Sequence, residues 1–233
     1  MGGRWNPLVP SLPGRDRELA VIVDALATAD AGPPRCVHLV GEAGIGKTTI
    51  ARRASSLAAG AGWTVAWGRA WDSPAAPPYL VWRQVLGAVV HQTPLLQHGH
   101  RPTLARLGDL VPEFASEEPA AAAPADDPAR ARAELHHAVL HALDTATATR
   151  PLALVLDDLH AAEASTIELA ILACRNPVRG RLLVLTTTRP TPDGSPQADS
   201  IGELIRQGTA LPVRAFESAG RRHPGDPTSR PRS

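Results

Sequence analysis

Apolar positions along the chain alternate between two rhythms, one helical and one extended. Over residues 16–29 they return at helical spacing, with Leu19, Val23 and Leu26 on one face, and Ala31-Gly32-Pro33-Pro34 ends that helix. Cys36 to Val40 is a short apolar run, read as a buried strand. A glycine-rich turn leads into a second helix over residues 47–59, with Ile50, Ala54, Leu57 and Ala58 as its apolar face and Gly60 and Gly62 as its stop. Thr64 to Gly68 reads as a second strand, and residues 79–92 as a helix bearing Val81, Val85, Leu86 and Val89. Residues 93–129 are rich in Pro and Ala, with a short helical piece near Leu104 to Leu110 and a loop-like stretch, EEPAAAAPADDP.

A further helix is expected over residues 129–148, with Leu135, Val139, Ala142 and Ala146 on one side. Leu152 to Leu156 is an uninterrupted apolar run that ends in Asp157-Asp158. Ser165-Thr166-Ile167-Glu168 has the spacing of a capping box and should open another helix, with Ser165 as its cap. Arg181 to Thr187 is again apolar and β-prone, and a weak fifth strand is expected at Thr209 to Val213. No internal repeat is visible. The β–α alternation, with strands apolar on both faces, predicts an α/β three-layer sandwich around a mostly parallel five-stranded sheet. Residues 1–13 are Pro-rich and expected to be irregular, residues 14–213 form the core, and residues 214–233 have so little to bury that disorder is expected.

Composition narrows the class of protein. A chain of 233 residues can bury a core without a disulfide scaffold. Its two cysteines, Cys36 and Cys174, fall in apolar runs and read as small buried hydrophobes of a reducing compartment. With 24 Lys and Arg against 23 Asp and Glu, there is no global charge to favour nucleic acid or a membrane surface. The start of the chain lacks the apolar run of a signal peptide, and no window approaches the roughly 20 apolar residues of a membrane span. Asn6 stands where myristoylation needs Ser or Thr. A cytoplasmic location is the expectation.

The chemistry concentrates in one local pattern. Gly41-Glu42-Ala43-Gly44-Ile45-Gly46-Lys47-Thr48, with Thr49 behind it, fills every fixed position of G-x-x-x-x-G-K-[ST] between a strand and a helix. Glycines let the backbone curl so that its N–H groups face phosphate oxygens, and the helix start adds the positive end of a dipole. Lys47 brings a full charge to the β- and γ-phosphates, and the Thr48 hydroxyl suits Mg²⁺. The expected ligand is therefore ATP, or a close relative, with Mg²⁺. A magnesium nucleotide also needs a carboxylate at a strand tip, which Asp157 offers, and Asp158 is placed to polarise the attacking water. Thr187, Thr188 and Arg189, at the end of another strand, are candidates for sensing the γ-phosphate.

Taken together, these motifs resemble the ATPase domain of LuxR-type and MalT-like regulators, in the signal-transducing branch of the AAA-like P-loop NTPases. Gly14-Arg15-Asp16-Arg17-Glu18-Leu19 resembles the GR-x-x-EL box that precedes the P-loop of that family, which implies that Arg15 lies near the adenine. Pro77-Pro78-Tyr79-Leu80-Val81-Trp82-Arg83-Gln84-Val85-Leu86 resembles its PY-x-x-W-x-x-L segment, and Leu156-Asp157-Asp158-Leu159-His160 its Walker B sequence. Arg189 falls on the family's post-strand arginine. The resemblance covers residues 10–213 and implies a regulatory Mg-ATPase. Ala161-Ala162-Glu163 departs from the usual Trp-Ala-Asp. The resemblance also implies a helical lid, helical repeats and a helix-turn-helix, for which this chain has no room after residue 213. Slow or conditional hydrolysis is then expected, with ATP and ADP as ligands and self-association or contact with full-length regulators as partnerships.

Two rival readings stand beside it: a catalytically dead interaction module, and a small-molecule kinase, against which the paired Walker B acids argue. Other signals carry less. His136, His137 and His141 share a helix, but without an acidic partner the pair at i, i+4 reads as a solvated face. The Arg-rich tail lacks a folded DNA-binding motif. Tryptophans 63, 67 and 71 read as packing residues around the second strand.

Overall fold

The structure is a computed structural model that describes residues 12–73, 75–93, 96, 106–108, 110–111, 127–175, 180–191, 195 and 197–214. Of the expected irregular segment 1–13 only Leu12 and Pro13 are described, of the loop EEPAAAAPADDP only Asp127 and Pro128, and of the expected disordered tail 214–233 only Arg214; the rest lie outside the described residues. The chain runs α1 (Asp16–Ala31), β1 (Arg35–Val40), α2 (Lys47–Gly60), β2 (Thr64–Arg69), α3 (Leu80–Gln92), α4 (Pro128–Thr149), β3 (Leu152–Asp157), α5 (Ala164–Arg175), β4 (Leu182–Thr188), α6 (Ala198–Ile205) and β5 (Thr209–Pro212). A single 3₁₀ turn, Leu159–Ala161, follows β3.

The five strands form one sheet in the order β2-β3-β4-β1-β5, and every pair is parallel. Strands buried on both faces explain the lack of polar alternation in Leu152–Asp157 and Leu182–Thr188, which are buried throughout. One face packs on α1 and α2 through Ile22, Leu26, Ile50 and Ala54 against Val37, Leu39, Val155 and Leu185. The other carries α3, α4, α5 and α6 over Leu154, Leu156 and Val184. The register sets the C-terminal ends level: Val40 lies beside Thr188, and Arg69 beside Asp157.

Several local expectations need correction. The buried face of α1 is Glu18, Ile22, Leu26 and Ala29, while Leu19 and Val23 sit at its rim, because the sheet meets the helix about one residue round from the apolar stripe. Leu57 and Leu135 are likewise only half-buried. Ser165 does not cap α5. The helix starts at Ala164, and the Glu163 carboxylate at its head accepts from Tyr79 N (2.7 Å) and Thr166 Oγ1 (2.5 Å). The strap α6 was not foreseen. Its Ile201 and Leu204 complete the core between α5 and the edge strand β5. His137 and His141 are exposed as expected, but His136 is buried, with Nε2 3.1 Å from the Tyr79 hydroxyl. Trp63 and Trp82 pack in the interior, whereas Trp71 is 58% exposed. Cys36 and Cys174, distant in sequence, stand side by side. The hydrogen bond between them and burial both push the Cys174 thiol up.

At the centre of the sheet lies a polar residue that the apolar run concealed. His38, on β1, is fully buried, with Nδ1 2.9 Å from Thr186 Oγ1 on β4 and no partner for Nε2 among the described residues. Burial lowers its pKa from 6.5 to about 4. The unfolded chain therefore binds a proton that the folded chain refuses. This contribution to stability is complete above the ordinary histidine value and drains away as pH falls toward 4, by about 3 kcal/mol in total. Urea unfolding between pH 7 and pH 4 should show this loss. His38→Gln, which cannot titrate, should flatten that slope.

Candidate functional site

The glycine-rich turn closes the C-terminal end of β1. Gly44 (φ 70°) and Gly46 (φ 99°) occupy the left-handed region, where a side chain would be strained. Gly41 needs its bare Cα for another reason: a Cβ there would lie 2.5 Å from the carbonyl oxygen of Val213. The first intrahelical bond of α2 runs from Ile50 N to Gly46 O (3.0 Å), so the amides of residues 47–49 form the first turn, at the positive end of the helix dipole.

Lys47 is 5% exposed and folds back over the loop, donating to Gly41 O (2.6 Å) and Glu42 O (2.7 Å). Burial holds its ammonium below the usual lysine range. Asp158 pulls it back up, Arg189 lowers it further, and Asp157 and Glu42 raise it. Thr48 Oγ1 donates to the Asp157 carboxylate at 3.1 and 3.2 Å. The residue pair expected to share a divalent cation is thus in direct contact, although 109 residues separate its members.

Asp157 is wholly buried at the tip of β3. A carboxylate there requires donors, and β4, inserted between β1 and β3, supplies one. Thr187 Oγ1 donates to Asp157 Oδ1 (2.6 Å) and accepts from Asp158 N (2.9 Å). Of the three candidates on that strand, Thr187 therefore faces the carboxylates. Thr188 turns its hydroxyl to the Arg189 carbonyl (3.1 Å), and the exposed Arg189 side chain reaches the cleft.

Asp158 adopts φ 60° just past the strand, and its Oδ2 accepts from both Arg69 Nε (3.0 Å) and Arg69 Nη2 (2.8 Å). The same guanidinium lies 3.8 Å from Asp157. Arg69 was missed in the sequence. It ends β2, a strand whose neighbour in space is β3, and only the sheet order shows that its side chain meets the two acids. Arg15 is also placed by tertiary structure. It is 5% exposed and lies behind the loop, donating to Ile45 O (2.8 Å), Arg214 O (2.8 Å) and Glu18 Oε1 (2.9 Å). His160 sits nearby. Burial lowers its pKa, as do Arg189 and Lys47, while Asp158 and Asp72 oppose them.

These groups surround a cleft of about 300 Å³ lined by Ala43, Gly44, Gly46, Lys47, Thr48, Thr49, Arg69, Asp158 and Arg189. Lys47, Arg69, Arg189 and the start of α2 share this cleft with Asp158, and the buried Asp157 is bonded to Thr48 beside it. Such a site fits a polyanion that carries a divalent cation. Among the described residues no three or more His, Cys, Asp and Glu gather to hold a metal, and no helix is long and apolar enough to cross a membrane.

The family model for the AAA ATPase domain matches residues 11–185, and the chain belongs to that family. No curated protein sequence matches the chain. Among solved structures, it is similar to Cdc6p from Pyrobaculum aerophilum, with a TM-score of 0.50 and 15% identity over 88% of this chain and 48% of that one. The ORC2 protein of Aeropyrum pernix, solved as ADPNP–ADP complexes, gives 0.46 and 19% over 89% and 50%. The ORC1 protein of Aeropyrum pernix, solved with DNA, gives 0.47 and 16% over 88% and 46%. The chain spans about half the length of these proteins.

The hydroxyl at position 187 carries a testable weight. Thr187→Val removes one donor from a fully buried carboxylate and one acceptor from Asp158 N at nearly constant volume. Urea unfolding should show a loss of about 2 kcal/mol, with Thr187→Ser recovering most of it. Unchanged stability would mean that Asp157 does not depend on this bond.

Proposed function

We propose that the chain is a Mg-ATP-binding regulatory ATPase domain with slow or conditional hydrolysis, related to the LuxR-type and MalT-like regulators that its GR-x-x-EL, PY-x-x-W and LDDLH sequences resemble. The observation that carries this reading is the meeting of Thr48 with the buried Asp157 at the mouth of a glycine cradle. Residues 14–213 act as the ATPase core. ATP and ADP are the ligands, the compartment is the cytoplasm, and partners are further copies or full-length regulators.

The residues divide the work as follows. The amides and carbonyls of Gly41, Glu42, Ala43, Gly44, Ile45, Gly46, Lys47, Thr48 and Thr49 shape the phosphate cradle, and Lys47 turns from Gly41 O and Glu42 O to the β- and γ-phosphates. Thr48 and Asp157 would hold Mg²⁺, which would neutralise phosphate charge. Asp158 accepts the proton of the attacking water as the bond from the γ-phosphorus to the ADP oxygen breaks and the new phosphorus–oxygen bond forms. Arg189 reaches the γ-phosphate from the rim. Arg15 serves the nucleotide from behind the loop, through Ile45 O.

The Arg69–Asp158 pair supports conditional turnover. Asp158 Oδ2 accepts from both Arg69 Nε (3.0 Å) and Nη2 (2.8 Å), so a water reaches that oxygen only when the guanidinium moves. Calorimetry with Mg-ATP, Mg-ADP and a non-hydrolysable analogue tests the reading. Lys47→Ala should abolish binding, and unchanged affinity in that variant would sink the proposal. Asp158→Asn should keep binding and stop phosphate release. Binding without turnover in the wild-type chain and in Arg69→Ala alike would instead favour an inactive interaction module.

A further inference from the structure

The back of the phosphate loop is joined to a distant part of the chain by two independent contacts. The first is steric. Val213 N donates to Val40 O (2.7 Å), which seats the Val213 carbonyl directly against the Cα of Gly41, where no side chain can intervene. Ile45 reaches the same spot, with Cγ2 lying 3.2 Å from where a Gly41 Cβ would be. The second contact is electrostatic. Arg15 holds Ile45 O, 30 residues away along the chain, and Arg214 O, 199 residues away, with the same buried guanidinium. A planar fork of donors fixes both carbonyls in one geometry, and burial shields these charge-assisted bonds from solvent. Glu18 Oε1 at 2.9 Å balances the charge and orients the fork. Both ends of the loop, Gly41 and Ile45, are thus tied to residues 213–214.

We infer that Arg15 is a coupling residue: it transmits nucleotide occupancy of the phosphate loop to the chain leaving β5 at Val213–Arg214. This rests on the nucleotide reading above. The trigger lies on the front of the loop. Lys47 Nζ is bonded to Gly41 O and Glu42 O, and a phosphate that takes its protons competes with both carbonyls. The loop then settles on the phosphate, and its back cannot shift without moving the Val213 carbonyl or the Arg15 fork. Two segments far apart in sequence respond as one body, and the sign of coupling follows from which loop position the nucleotide favours.

Hydrogen exchange of residues 209–214 tests this, in the full chain with and without saturating Mg-ADP and a non-hydrolysable Mg-ATP analogue, saturation being set by calorimetry. In the wild-type chain, nucleotide should change exchange at Val213 and Arg214 by at least about fivefold, the low end of ordinary coupling. Glu18→Gln removes the ion pair but leaves both carbonyl bonds, and should keep that response. Arg15→Gln combined with Glu18→Gln leaves no unpaired buried carboxylate, so that the domain can fold, and should reduce the response to what the Gly41–Val213 contact alone carries. An equal nucleotide response in the double variant overturns the coupling role, as does a wild-type chain that binds nucleotide without any change at 213–214. A double variant that no longer binds nucleotide overturns it too, making Arg15 a ligand contact. Absence of binding by the wild-type chain removes the nucleotide reading and the coupling together.

Discussion

A carboxylate removed entirely from water sets the terms for the rest of this site. Asp157 has no exposed surface at the tip of β3, and an ionised group there persists only if donors surround it. Thr187 supplies the shortest bond, Thr48 two longer ones, and the Arg69 guanidinium approaches from the next strand. Each donor comes from a different element. The order β2-β3-β4-β1 is what brings them to a single point, with all the strands ending level. The carboxylate and the sheet therefore depend on each other: slipping one strand by one residue would turn its donor to the opposite face.

Charge balance follows from that arrangement. Lys47, Arg69 and Arg189 converge on a cleft that Asp158 also lines, with Asp157 buried beside it. The acids offset the repulsion among the cations. Lys47 shows the tension best. Burial weakens its hold on its proton, Asp158 strengthens it, and the loop carbonyls of Gly41 and Glu42 take up its donors. A polyphosphate entering the cleft would exchange one set of partners for another rather than meet a preformed vacancy of charge. The energy of binding would then be a difference between two well-bonded arrangements.

Much of the fold was visible in the chain because its cues are local. Apolar runs of strand length alternate with helical stripes, and the five strands, together with α1 to α5, fall close to where these rhythms place them. The misses have specific causes. His38 hid inside an apolar run because one polar residue cannot break a pattern, yet its position opposite Thr186 is the reason it is tolerated. The strap α6 follows a stretch rich in Pro, and only packing against α5 gives its two apolar residues a partner. Ser165 had the right spacing for a cap, but Tyr79 and Thr166 converge on Glu163, two residues before it, and α5 starts at Ala164.

The same division separates the parts of the site. The turn from Gly41 to Thr48 was legible from sequence alone because it is contiguous: residue type dictates backbone conformation, as at Gly44 and Gly46. Asp157 and Asp158 were legible because an apolar run ending in two acids is unusual in any strand. Arg69, the bridging hydroxyl of Thr187 and the placement of Arg15 behind the loop were decided by tertiary structure. Each acts across the sheet on a partner that is distant in sequence, and the pattern along one strand carries no information about which strand will lie beside it.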